Sequence, residues 1–176
     1  MVDKAGRTTP RFPEAKVAAA AARIADELNQ LGAEPGDLGI AQAASGGDLL
    51  FTRACLDRGM RLEIHLPQRE PEFLAASVSF AAPHWMADYD ALRSCKGVAF
   101  RIMPDELGPT PEGVGIYDRC NRWMLNAALS NGLAKVAFLA LWDGKTGDGA
   151  GGTEDVVALV LRLTGRQPVV IDPATL

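Results

Sequence analysis

Two clusters of glycine are the places where this chain has the residues to hold a ligand. The first is Ser45-Gly46-Gly47-Asp48, at the end of the apolar run Leu38 to Ala44 and directly before a helical pattern. The second is Asp143 to Gly152 (DGKTGDGAGG), between the apolar run Lys135 to Trp142 and a helical pattern opening at Thr153. Glycine lets backbone approach a ligand closely, and a helix start leaves N–H groups unpaired. Together they make a nest for a phosphate or another anion. The second cluster is the denser one, with Gly144, Gly147, Gly149, Gly151 and Gly152. Asp143, Asp148, Glu154 and Asp155 lie in it or beside it, and a bare phosphate would be repelled by them. Carboxylates there suit a ribose hydroxyl, a base edge, or a magnesium ion that accompanies phosphate. Glu154 and Asp155 equally suit a helix's first turn, where acids complement the dipole. Gly144-Lys145-Thr146 lacks the glycine lead-in of a standard P-loop, so that motif is excluded.

The other polar candidates carry weaker signals. His65 sits inside a strand-like run and reads as structural or solvent-facing, while His84 stands at a helix start. Two histidines and no cysteine cluster give a metal-hydrolase site no support. Ser45, Ser77 and Ser79 lack a G-x-S-x-G setting, which leaves a hydrolase triad without a nucleophile elbow. Arg7 and Arg11, in the polar head of the chain, either reach an anion or remain solvated charges. Asn121 and Arg122 are polar groups among apolar neighbours of a helical pattern and face either the cleft or solvent. Cys55, Cys95 and Cys120 show no C-x-x-C spacing and read as buried thiols.

The elements that must position these residues alternate in type. After the polar head Met1 to Phe12, Pro13 suits a helix's first turn, and Val17, Ala21, Ile24, Leu28 and Leu31 recur at helical spacing up to Gly32. Leu38 to Ala44 reads as a strand, followed by a helix with Leu50, Phe51, Ala54 and Cys55 on one stripe, a stop at Gly59, and a strand at Leu62 to Leu66. This is a βαβ unit with parallel strands. A short helix around Pro71 to Ala76 and another from Pro83 lead to a strand at Gly97 to Met103. A proline- and glycine-rich loop then precedes a helix at Val114 to Ser130 with Tyr117, Cys120, Met124 and Ala128 along its face. Lys135 to Trp142 reads as the clearest strand, Thr153 as the cap of a helix to Leu163, and Pro168 to Ile171 as a last strand. Such alternation predicts an α/β sheet, mostly parallel and covered on both faces. Ligands of such sheets bind at the carboxyl ends of strands, where both glycine loops stand.

A length of 176 residues predicts a single domain over 1–176 with its own core. A net charge of −4 makes nucleic acid an unlikely partner, since that wants a basic surface. No run approaches a membrane span and no signal-peptide pattern opens the chain, so the expected location is the cytoplasm.

The stretches AGRTTPRFP, AASGGDLLFTRACLDRGMRLEIHLP, EFLAASVSF, HWMADYDAL, YDRCNRWM and LWDGKTGDGAGGTEDVV form a series. Over nearly its full length the chain resembles a family of bacterial Rossmann-like domains often joined to tetratricopeptide-repeat or signalling modules. That family is similar to a branch of the SLOG superfamily, with the Lonely Guy phosphoribohydrolases and the DNA-processing protein A fold. The resemblance implies a three-layer α/β/α fold and a nucleotide or nucleotide-derived ligand, with magnesium as a candidate companion and no other cofactor. It places the ligand at Ser45, Gly46, Gly47 and Asp48 and at Asp143, Gly144, Thr146, Gly147, Asp148, Gly149, Gly151, Gly152, Thr153 and Glu154. Asn121, Arg122 and Arg7 complete the expected set.

Superfamily members act as sensors of nucleotide signals, for example in bacterial conflict systems, or as enzymes that cleave an N-glycosidic bond. The expectation is therefore a non-catalytic sensor in a signalling or defence role. The alternatives are a phosphoribohydrolase-like enzyme using Glu154, Asp148 or Asp143, and an interaction scaffold. The hydrolases carry G-G-x-G-T with a glutamate three residues on, whereas Val156 occupies that offset after Gly151-Gly152-Thr153 here. Superfamily members are often dimers, which implies a homodimer or association with an effector or repeat domain. Relatives carry one more strand before the segment aligned with Met1. A sheet without that first strand implies a fragment, or a gap closed by a partner chain or a rearrangement.

Overall fold

The computed structural model describes residues 1–3, 7, 8, 10–146 and 152–176. It is mixed α/β with parallel strands, as the alternation predicts. Strands β1 (Leu38–Ala41), β2 (Arg61–Leu66) and β3 (Val98–Ile102) form one parallel sheet in that order, with Ile40 opposite Glu63 and Ile64 opposite Phe100. Strands β4 (Leu139–Leu141) and β5 (Val169–Ile171) form a separate parallel pair. Parallel neighbours need crossovers, and helices supply them. Helix α2 (Gly47–Leu56) links β1 to β2, α3 (Glu70–Ser77) and α4 (Pro83–Ser94) link β2 to β3, and α6 (Thr153–Thr164) links β4 to β5. Helix α1 (Val17–Gln30) precedes β1, and α5 (Ile116–Leu129) lies between β3 and β4.

Strand alternation sends the two faces of β2 to different layers. Leu62, Ile64 and Leu66 join the main core with Phe73 of α3 and Trp85, Tyr89 and Leu92 of α4, all buried. Each such Phe or Leu burial contributes roughly 1.5–3 kcal/mol before entropy is counted. His65 points the other way, and its ring lies 4.2 Å from that of Trp123 on α5. Helix α1 packs on α2 and reaches β5, while α5 lies over β1 and β2 and against α6. The α5–α6 side holds only a small cluster of Leu125, Leu159 and Val160.

Strand β1 stops at Ala41 rather than Ala44, because Ala43 takes a left-handed φ of 65°. The apolar run Lys135 to Trp142 yields only a three-residue strand. Leu133–Lys135 is a 3-10 turn, and the carbonyls of Leu133, Ala134 and Val136 accept from the Arg166 guanidinium instead of a neighbouring strand. Thr153 is the first helical residue of α6; Gly152 holds the N-cap position, with no side-chain cap. Tyr117, Met124 and Ala128 are only half-buried, and the inward face of α5 is Cys120, Asn121 and Leu125. Cys55 and Cys120 are buried, with thiols pushed up to about 12 by burial, but Cys95 lies exposed at the end of α4. Among the described residues, no helix is long and apolar enough to cross a membrane.

Candidate functional site

The first glycine loop is built into the fold by its backbone. Past Ala41 the chain turns at Ala43, and Ser45 is fully buried. The N–H and Oγ of Ser45 both donate to the Ser77 carbonyl, at 2.9 and 3.0 Å. The Ser45 carbonyl accepts from Val2 N–H at 3.0 Å. The Ser77 hydroxyl pairs in turn with the Tyr117 hydroxyl at 2.8 Å. Every polar group of Ser45 is therefore engaged inside the protein.

Gly46 follows at φ 102°, where a Cβ would stand 2.9 Å from the Val2 nitrogen and 3.1 Å from the Met1 carbonyl carbon. Only glycine fits there, on grounds of conformation and of space. Among the described residues, the N–H groups of Gly46, Gly47 and Asp48 have no backbone acceptor. They are the free donors of the α2 start. The Asp48 carboxylate does not cap its own helix. It turns back to accept from Ala44 N–H at 3.2 Å, and burial raises its pKa.

The second loop begins beside the first. A Cβ on Gly47 would stand 3.3 Å from Leu141 Cβ, so the start of α2 touches the last residue of β4. From there Trp142 Nε1 donates to the Lys145 carbonyl at 2.8 Å, and Lys145 N–H donates to Asp143 Oδ1 at 3.2 Å. Arg11 clasps this turn. Its guanidinium pairs with both oxygens of Asp143 and donates to the carbonyls of Lys145 at 3.0 Å and Thr146 at 3.1 Å. The hydrogen bonds from Arg11, with its charge, hold the Asp143 carboxyl below the usual carboxylate range. Phe12, buried next to Arg11, anchors that reach, and Asp3 accepts from the N–H groups of both residues. Gly144 makes the tight turn at φ 72° in open space. Gly147, Asp148, Gly149 and Gly151 lie outside the described residues.

Helix α5 brings in the third wall. Asn121 is buried and accepts from Gln42 Nε2 at 2.7 Å, directly past the end of β1. Arg122 lies on the other side of the helix, half exposed, and pairs with Asp118. Arg7 sits 3.5 Å from Asp3 in the N-terminal segment. Glu154 stands half-buried in the first turn of α6. Of the expected residues, the structure gathers Gly46, Gly47, Asp48 and the Asp143–Thr146 turn at one rim, puts Asn121 against Gln42, and turns Arg122 away.

Sequence reasoning passed over Gln42, Tyr117 and the bridging role of Arg11. Gln42 left a signal, being one polar residue within an otherwise apolar strand run. Tyr117 left none that separates a hydrogen-bonded hydroxyl from a packed ring. Among the described residues, no group of three His, Cys, Asp or Glu side chains is arranged to hold a metal ion. No family model matches the chain, and no curated protein matches it.

Proposed function

We propose that this protein binds a nucleotide or nucleotide-derived small molecule where the two glycine loops meet, and acts as a ligand sensor. The observation that carries the reading is the contact of Gly47 with Leu141, which puts the free amides of α2 beside the turn that follows β4. Free N–H groups at a helix start take an anionic group, and a neighbouring carboxylate takes ribose hydroxyls or an accompanying magnesium ion. The resemblance of the glycine-loop motifs to SLOG-type domains supplies the nucleotide class. In the same reading the protein works in the bacterial cytoplasm, in signalling or defence, as a homodimer or with an effector or repeat domain. Hydrolysis of an N-glycosidic bond is the weaker alternative. It needs a carboxyl that keeps its proton near neutral pH, and Arg11 pushes Asp143 in the opposite direction.

A thermal-shift series with AMP, ADP and ADP-ribose, with and without magnesium, tests the reading. A ligand at a hundred times its Kd stabilises by about 2.7 kcal/mol, which is several degrees for a protein of this size. Gly47→Val crowds Leu141 and fills the cradle, and is expected to lose that shift while staying folded. A flat response across the panel, or an equal shift in the variant, would falsify the proposal. Static light scattering with and without ligand reads the oligomeric part.

A further inference from the structure

A second concavity shares no lining residue with the glycine loops. At the carboxyl ends of β2 and β3 a cavity of about 550 Å³ opens between the turn that enters α3 and the loop that enters α5. Its far wall is braced. Arg119 on α5 donates to the carbonyls of Gly108 at 2.8 Å and Leu107 at 2.5 Å, and Pro104 and Pro109 stiffen the loop. Those bonds hold one wall of the concavity in place. The concavity is open to solvent, and most of its lining residues are exposed.

The lining has three kinds of surface. Ile102, Met103 and Ile116 supply an apolar wall, and Ile102 remains 49 % exposed, a large apolar side chain presented to water at the cavity. Arg69 supplies a positive charge, and Glu72 and Asp105 supply negative ones. Among the described residues, these three side chains form no ion pair or hydrogen bond with one another or with any other group. Arg119 adds a second positive charge, already committed to loop carbonyls. The concavity therefore carries charges of both signs, Arg69 and Arg119 against Glu72 and Asp105. A nucleotide, with several negative charges, meets two carboxylates here, and a bare hydrocarbon leaves the charges without partners.

We infer that this cleft binds a small apolar zwitterion, a free apolar amino acid or short peptide, with its carboxylate on Arg69 and its ammonium toward Glu72 and Asp105. A guanidinium takes a carboxylate by two parallel hydrogen bonds. The apolar side chain then covers Ile102 and Ile116, removing their surface from water. The site uses none of the glycine-loop residues, and its fate is independent of the nucleotide reading.

Calorimetric titration of the full chain with L-leucine, L-phenylalanine and leucyl-leucine, and with their N-acetyl and C-terminal amide forms, tests this. The free zwitterions are expected to bind at least tenfold more tightly than either capped form. Arg69→Gln is expected to weaken leucine tenfold or more and to leave leucinamide unchanged. The pair Glu72→Gln with Asp105→Asn is expected to do the reverse with N-acetyl-leucine. These side chains are exposed, and circular dichroism and melting checks that the variants stay folded. No binding by any of the compounds, indifference to capping, or an Arg69→Gln variant that binds leucine like the parent overturns the inference.

Discussion

The first glycine loop and the turn Asp143–Thr146 stand at the same rim and are held there by opposite means. Ser45-Gly46-Gly47-Asp48 is locked from within: Ser45 is saturated by Ser77 and Val2, and Gly46 is pressed against the Met1–Val2 backbone. The turn after β4 is held from outside, by one arginine reaching over from the N-terminal segment to Asp143 and two carbonyls. A binding site benefits from both arrangements. A rigid half keeps its donors aimed before the ligand arrives, and a half held by exchangeable polar contacts can adjust to it. Arg11 is also a cation that could exchange its carboxylate for a ligand's charge.

The largest break in this comparison comes from alanine at the two glycines. At Gly46 the added Cβ meets backbone at 2.9 Å in a conformation that L-residues avoid. Left-handed strain of about 1–2 kcal/mol and overpacking of about 1–3 kcal/mol put Gly46→Ala at roughly 2–5 kcal/mol of lost stability. Gly144 has a φ of 72° but nothing within 4 Å of its Cβ, so Gly144→Ala carries only the strain, about 1–2 kcal/mol. Urea midpoints of the two variants measure the gap. Equal losses would mean that the first loop yields as readily as the second.

A smaller effect isolates the outside hold. Arg11→Ala removes charged hydrogen bonds from a pair whose side chains are 20 % and 8 % exposed. A cost of roughly 1–2 kcal/mol is expected, below the charged hydrogen-bond range because part of Arg11 meets water. Cleavage by trypsin after Lys145 should speed up in the variant, while the Ser45 region keeps its amide protection. If the cleavage rate stays at the parental value, Arg11 is not what holds the turn.

How far the sequence told this in advance differs between the same two halves. Around β1, β2 and β3 the hydrophobic runs, Gly59 and Pro83 mark elements that the structure reproduces within a few residues, because each strand finds a parallel neighbour and a covering helix. Around β4 the apolar run overstated the strand. Hydropathy marks what will be buried, but pairing decides what becomes a strand: β5 offers β4 only three partners, and the Val136 carbonyl goes to Arg166 instead. The placing of the first glycine loop at a carboxyl end was legible, since β1 is followed directly by α2. The Arg11 clasp was not, because a contact spanning more than a hundred residues leaves no local pattern. Neither did the face of Asn121, which depends on Gln42 meeting it across the fold.

The finest test uses pH, because the carboxylates of the two loops are shifted in opposite directions. Asp143 is lowered, first by its hydrogen bond to Arg11. Its contribution is fully present above the ordinary carboxylate pKa, near 4, and disappears as pH falls through the lower folded value. Asp48 is raised, first by burial, so its ionised form is the one the fold disfavours. That cost acts at neutral pH and vanishes as the carboxyl takes up its proton in acid. Asparagine preserves the shape of either side chain without the charge, and at position 48 its oxygen can still accept from Ala44 N–H. At pH 7 Asp143→Asn should therefore lower the urea midpoint and Asp48→Asn should hold or raise it. As pH falls, the Asp48→Asn difference should shrink first, reaching zero by about pH 4, and the Asp143→Asn difference only below about pH 4, from the opposite side. Two variants that move the midpoint in the same direction at neutral pH would show that the loops are not held by opposite means.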